Sequence, residues 1–148
     1  MQKKQLKLKI VTPEKLILED MVDQVTIPTT AGEVTILPDH VSLIAGIASG
    51  DVVAMAHGEH IPMAVVGGFL EVKNIDGQTE VAILADFAEH VVDITDIAIE
   101  KAKARSLELQ KIVENKGIVD FEHFETELER SLTRVKIADK WRTRKYRK

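Results

Sequence analysis

The sequence contains no cysteine, which excludes a disulfide framework and any thiolate metal site. Aromatic residues are scarce at 4 %, yet 45 % of the chain is hydrophobic, so a core can form without them. No run approaches the roughly 18 uninterrupted apolar residues that a membrane-spanning helix requires. The opening MQKKQLKLKIV is basic but never passes into the apolar region of a secretory signal. The expectation is a protein that is soluble, or held at a membrane only by other proteins. A net charge of −4 over 148 residues argues against a general nucleic-acid binder. That length suits one ordinary domain, or a small domain with an appendage.

What is present is unevenly spread. Residues 1–88 carry 6 Lys/Arg against 12 Asp/Glu, a net of −6, whereas residues 89–148 carry 14 against 12, a net of +2. Nine of those 14 basic residues lie from Arg130 onward, with only Asp139 among them. The hydrophobic period changes at the same place. In the first part Leu6, Leu8 and Ile10 alternate with Lys7 and Lys9, and Val25 and Ile27 alternate with Gln24 and Thr26. This is the pattern of strands with one wet face. Further short runs (EVTILP, DVVAMA, IPMAVV, GGFLEV, TEVAILA) are separated by turn-formers such as His57-Gly58-Glu59 and Asn74-Ile75-Asp76-Gly77. Closely spaced strands without intervening helices predict an antiparallel sandwich or barrel over residues 1–88.

Residues 89–148 turn to Ala, Glu, Lys, Leu and Gln, all good helix formers. Asp93, Thr95 or Asp96 can cap a first helix, Gly117 can end it, and Asp120 can cap a second. Phe121, Phe124, Leu128, Leu132 and Val135 recur at three- and four-residue steps along the second helix. Ala98, Ala102, Leu109, Ile112 and Val113 form a thinner facing stripe. A short link makes such helices antiparallel neighbours. With one narrow seam and no third layer, this hairpin is expected to dock, undock or extend.

Candidate chemistry is sparse. Glu33, Asp39 and His40 sit within GEVTILPDH, but an extended chain separates the two carboxylates by roughly 20 Å at about 3.3 Å per residue. They cannot share a substrate atom, and Asp39 and His40 after Pro38 read as turn residues. His57 and His60 could form a metal hook, but a polar hairpin turn is commoner and no third ligand is visible. Neither His90 nor His123 has a visible companion, and Ser42 and Ser49 lack a nearby base or a G-x-S-x-G elbow. Gly67-Gly68 has no phosphate-binding context, so it reads as a bulge or close backbone approach. No catalytic, metal or cofactor site is expected. The tail KWRTRKYRK interleaves Trp141 and Tyr146 with cations. It suits a helix end, an acidic protein surface or a single-stranded nucleic acid.

Taken together, LKIVTPEKLILEDMVDQVTIPTTAGEVTILPDHVSLIAGIASGDV, AVVGGFLEV, VAILADFAEH and the two-helix tail resemble the epsilon subunits of F-type ATP synthases. The resemblance runs in order over essentially the whole chain. Its most specific parts are G-E-x-x-I-x-P-x-H at Gly32–His40 and the GGFLEV/LAD pair ending in Asp86. It implies a ten-stranded β-sandwich followed by a two-helix hairpin. It further implies a non-catalytic rotor subunit that joins the gamma subunit to the c-ring. Gly32, Glu33, Asp39 and His40 would be partner contacts, with Glu33 toward the c-ring and His40 near the gamma and c-ring contacts. The hairpin would inhibit ATP hydrolysis when extended, with Arg130, Arg134, Lys136, Arg142 and Arg144 meeting an acidic part of the alpha/beta head. The location implied is peripheral, on the cytoplasmic side of a bacterial plasma membrane.

Several positions depart from the family pattern. Where some members carry an ATP-binding I-D-x-x-R-A, this chain reads Ile97-Ala98-Ile99-Glu100-Lys101-Ala102. Lys101 keeps a charge without the planar fork, and Ala98 replaces the acid. ATP as a regulatory ligand would therefore rest on Lys101 alone. The usual second glycine after Gly-Glu is replaced around Val34-Thr35, and Ser42 stands where proline is common. A second reading is a β-sandwich binding module whose basic helical tail recognises nucleic acid or another acidic polymer.

Overall fold

In a computed structural model of the protein, which describes residues 3–114 and 121–145, alternation at the N-terminus produces a half-buried strand. In β1 (Leu6–Val11), Leu6, Leu8 and Ile10 are fully buried while Lys9 faces water. Seven more strands follow: β2 (Leu16–Val22), β3 (Gln24–Thr29), β4 (Gly32–Ile36), β5 (Leu43–Gly46), β6 (Gly50–Ala56), β7 (Glu59–Ile75) and β8 (Gln78–His90). Ala88, the expected end of the β region, lies two residues inside β8. The chain divides at that strand's end into two units, Met1–His90 and Val91–Lys148.

Eight strands rather than ten are present because β7 and β8, with 17 and 13 residues, each run through two layers. One layer holds β2, β1, the first half of β8, the second half of β7, and β5. The other holds β4, β3, β6, the first half of β7, and the second half of β8. Counted by halves, the segments number ten, five to a layer. All pairs are antiparallel except β1 with β8, which run parallel from Lys7↔Glu80 to Val11↔Leu84. A parallel neighbour cannot be reached by a hairpin; here most of the sandwich is the connection. Inward residues of both layers, among them Leu8, Ile10, Ile27, Ile36, Met63, Leu70 and Ile83, form one aliphatic core.

The layers part at Gly67-Gly68. The β7–β8 ladder is regular up to Val66↔Phe87 and resumes at Gly68↔Ala85. Both glycines have positive φ, 63° and 112°. A Cβ on Gly68 would strike the Leu84 carbonyl oxygen and lie 2.8 Å from Ala85 Cα; one on Gly67 would lie 2.5 Å from an Asp86 carboxylate oxygen. The close backbone approach read from the sequence is therefore real. At the two ends of β7, His57-Gly58 and Asp76-Gly77 each form a two-residue hairpin with both φ values positive. That is the backbone of the turn whose twist matches its flanking strands.

In the second unit a 3-10 turn at Val91–Asp93 leads into α1 (Asp96–Glu114), and α2 is Phe121–Lys145. Thr95 caps α1, its Oγ1 accepting the Ala98 N–H at 3.1 Å. Helix α1 buries Ile99, Ala102, Ser106 and Leu109, so Ala98, Ile112 and Val113 are only half-buried. Along α2 the expected stripe is displaced. Thr133, Ile137 and Ala138 are buried, Phe124, Leu128 and Val135 are half-buried, and Leu132 is 43 % exposed. Periodicity located the apolar residues, but Thr133 and Ile137 lie on another side of the helix at about 100° per residue. The Phe121 side chain, Gly117 and Asp120 fall outside the described residues.

Two ion pairs align the helices. Arg105 Nε and Nη2 donate to both carboxylate oxygens of Glu127, at 2.8 and 3.2 Å, and Arg105 Nη1 also meets Glu108 at 3.2 Å. At the base of the hairpin, Arg142 pairs with Asp96. The fork-to-carboxylate geometry is the strong form of such a contact. Hydrogen bonds from Arg105, outweighing desolvation, hold the Glu127 carboxyl below its usual 4.5.

Three outcomes are expected. Gly58→Ala, at φ 76° with open space around the new methyl, should cost about 1–2 kcal/mol. Gly68→Ala should cost about 3 kcal/mol or more, because backbone strain and a collision add. Urea unfolding monitored by circular dichroism measures both. The folded pKa of Glu127 lies below the unfolded one, so its contact with Arg105 stabilises the hairpin at neutral pH. That contribution is lost as the pH falls below 4.5 and through the folded value. NMR shifts of α1 and α2 amides should record this acid loosening in the wild type and a much flatter profile in Glu127→Gln.

Candidate partner-binding surfaces

The four residues expected as partner contacts divide between opposite ends of β4. Gly32 and Glu33 begin the strand, opposite Thr29 and Pro28. Both are exposed, and Gly32 has φ 116°. The turn before them is tied locally: Thr29 Oγ1 accepts the Ala31 N–H at 3.2 Å and donates to the Gly32 carbonyl. Thr30 N–H donates to the Gly46 carbonyl at 3.0 Å, and Ile47 N–H to the Gly68 carbonyl at 2.9 Å. The Glu33 turn is thereby anchored, through β5, to the crease where the layers part.

Asp39 and His40 follow the far end of β4. Asp39 adopts φ 71° and its N–H donates to Thr79 Oγ1 at 2.7 Å; that hydroxyl donates to Asn74 Oδ1 at 2.7 Å. The Asn74 amide donates to the His40 carbonyl at 2.8 Å. Lys4 Nζ meets both Asp39 carboxylate oxygens at 2.7 and 2.6 Å. His40 is half-buried, its Nδ1 at 2.8 Å from the Val41 carbonyl. The corner is a fixed knot between the start of β1 and the β7–β8 hairpin. Asp39 is engaged by Lys4, and Glu33 and His40 stand in two separate regions of the surface.

Beside the Glu33 turn lies a feature that the sequence reading passed over. On the outer face of the β1-containing layer, Leu16 stands opposite Val11, Val11 opposite Leu84, Leu84 opposite Phe69, and Phe69 opposite Gly46. Leu16 is 50 %, Leu84 56 %, Phe69 65 % and the adjoining Ile44 76 % exposed. This apolar row crosses the sheet at right angles to the strands and ends where the Glu33 turn is anchored. Elsewhere that face carries charges, with Lys7–Glu19 and Lys73–Glu71 pairs at 3.5 and 3.6 Å, and the exposed Met21 and Ile75. A contiguous exposed apolar row in such a setting marks an interaction surface. Its signal in the sequence is doubled apolar residues, Phe69-Leu70 and Ile83-Leu84, where a one-sided strand should alternate.

The basic residues of α2 do not form one free patch. Arg130 and Arg134 are half-buried, Lys136 is exposed, and Arg142 is engaged by Asp96. The Arg144 side chain lies outside the described residues. Lys140 Nζ stands 5.9 Å from the ring centroid of Trp141, which is half-buried, so that ring is not an open stacking platform. Lys101 is exposed on α1, and Ala98 beside it offers no side-chain acceptor. His57 occupies a hairpin turn and His60 pairs across to Met55 in the ladder. Among the described residues no three His, Asp or Glu side chains come together as a metal site, and no helix is long and apolar enough to cross a membrane.

Comparison with known proteins adds the following. Residues 5–91 match the family described as ATP synthase, Delta/Epsilon chain, beta-sandwich domain. Over 134 residues the chain is 34 % identical to the ATP synthase epsilon chain of Desulforamulus reducens, covering 90 % of this chain and 96 % of that one. It is 36 % identical to that of Nitratidesulfovibrio vulgaris over the same shares. A chain in the Euglena gracilis mitochondrial ATP synthase structure (OSCP/F1/c-ring) superposes with a TM-score of 0.70 at 22 % identity, over 87 % of this chain and 78 % of that chain. At that identity the likeness speaks to fold alone. The β-sandwich matches along its length and the epsilon-chain relatives extend through the helices: the chain belongs to the ATP synthase epsilon-chain family.

Proposed function

We propose that this chain is a non-catalytic central-stalk subunit of a proton-translocating F-type ATP synthase. Its sandwich couples the gamma subunit to the c-ring, and its hairpin restrains ATP hydrolysis. Family membership supports the role, and the apolar row Leu16–Val11–Leu84–Phe69 is the observation that carries the coupling. A row crossing four hydrogen-bonded strands cannot shear one strand past the next without breaking the ladder. It suits a joint that must pass torque to gamma, because a close-packed interior deforms little.

The Glu33 turn faces the c-ring, and the His40 corner, at the opposite end of β4, lies near the contacts with gamma and the c-ring. The protein sits peripherally on the cytoplasmic side of a bacterial plasma membrane, held there by the ring. Extension of the hairpin carries Arg130, Arg134, Lys136, Arg142 and Arg144 to the acidic part of the alpha/beta head. With Ala98 beside Lys101, control of the hairpin runs through its own ion pairs rather than through bound ATP.

Phe69→Asp places a charge at the centre of the row. Binding to isolated gamma should weaken by about 2 kcal/mol or more, roughly thirtyfold in Kd. The urea midpoint should stay near that of the wild type, since Phe69 is largely exposed. Unchanged affinity would move the coupling surface elsewhere. Truncation after His90 keeps β8 whole; it should leave gamma binding intact and raise the ATPase rate of the assembled complex.

A further inference from the structure

Among the described residues, two ion pairs of opposite polarity join the helices of the hairpin. In one, α1 supplies the cation (Arg105) and α2 the anion (Glu127); in the other, α1 supplies the anion (Asp96) and α2 the cation (Arg142). When the helices separate, Arg105 keeps a partner on its own helix, Glu108. Arg142 loses its Asp96 partner. We propose that Asp96 is an internal competitor for Arg142: it occupies in the closed hairpin the guanidinium that an acidic protein surface must take to hold the hairpin open.

Closure and capture of Arg142 by a partner are then mutually exclusive, and the two carboxylates set the threshold. Asp96 lies at the N-terminus of α1, where the helix dipole favours a negative charge. That preference keeps the carboxylate in place without Arg142, so it is ready to recapture the cation. Glu127 holds the register and Asp96 competes. The inference rests on the reading of the hairpin as the inhibitory arm only for its consequence in the complex. The competition itself is a property of the chain alone.

The full-length chain tests it. Because the protein has no cysteine, Gln110→Cys and Glu125→Cys give single spin-label sites on exposed positions of α1 and α2. Electron–electron resonance then reports the closed and open populations, with poly-glutamate as the acidic probe. Asp96→Asn and Glu127→Gln should each raise the open fraction about two- to fivefold; Glu100→Gln, a charge change within α1, should not. Asp96→Asn should also lower the poly-glutamate concentration needed for half-opening by the same factor. Arg142→Gln should open the unliganded hairpin equally yet raise that concentration. Mere fraying of α1 would move both midpoints the same way and overturn the proposal, as would a hairpin that opens in no variant. If the populations shift as expected while ATPase inhibition in the complex is unchanged, the competition stands and the inhibitory reading of the hairpin falls.

Discussion

A sandwich needs its two sheets to face one another, and here two strands serve both. Everything in the first unit depends on β7 and β8 crossing between layers without losing their pairing. At the crossing the backbone carbonyl of Leu84 comes so close that only a hydrogen atom fits on Gly68. The same crossing receives the Ile47 N–H on the Gly68 carbonyl, which fixes β5 and, through Gly46, the Glu33 turn. The core is the consequence: Leu70, Val72, Ile83 and Ala85 line one sheet, while Met63, Val65 and Ala88 of the same two strands line the other. A shared pair of strands makes the layers one mechanical body.

The second unit is built on a different balance. Beside Ile99, Leu109 and Ile137, its buried side chains include the small or polar Ala102, Ser106, Thr133 and Ala138, which remove little apolar area from water. Solvent-accessible ion pairs add to the pairing of its helices, and such pairs are weak and screened by salt. Ordered residues held by few kilocalories are the raw material of a two-position element. Rigidity and adjustability are thus assigned to separate stretches of one short chain by what each one buries.

Much of this was legible in the sequence. Alternation in LKLKIV and VDQVTIP, the His57-Gly58 and Asp76-Gly77 turns, the Gly67-Gly68 approach and the change of period near Ala88 each rest on local chemistry, and each is present. What escaped depends on neighbours far away in the chain. Nothing local to Leu8 says that Val81 lies beside it in parallel, and nothing in the α2 stripe says that Thr133 and Ile137 would be the buried side. The candidate contacts were found as residue types, but their division between two ends of β4 is a matter of register. The apolar row was visible only as broken alternation, which a search for one wet face discounts. Ion pairs such as Arg105–Glu127 join residues 22 positions apart, beyond the reach of helical spacing rules.

The parallel partnership of β1 with β8 has a consequence for how the protein is made. As the chain leaves the ribosome, β1 is followed at once by one of its two neighbours, β2, while the other is synthesised some seventy residues later. Until then Leu8 and Ile10 have half a sheet to lie in, and the sandwich cannot close. Non-local pairing of this kind slows folding, because loop closure must precede the contacts that reward it. The nascent chain must therefore shelter an unfinished apolar edge until β8 arrives to complete the sandwich.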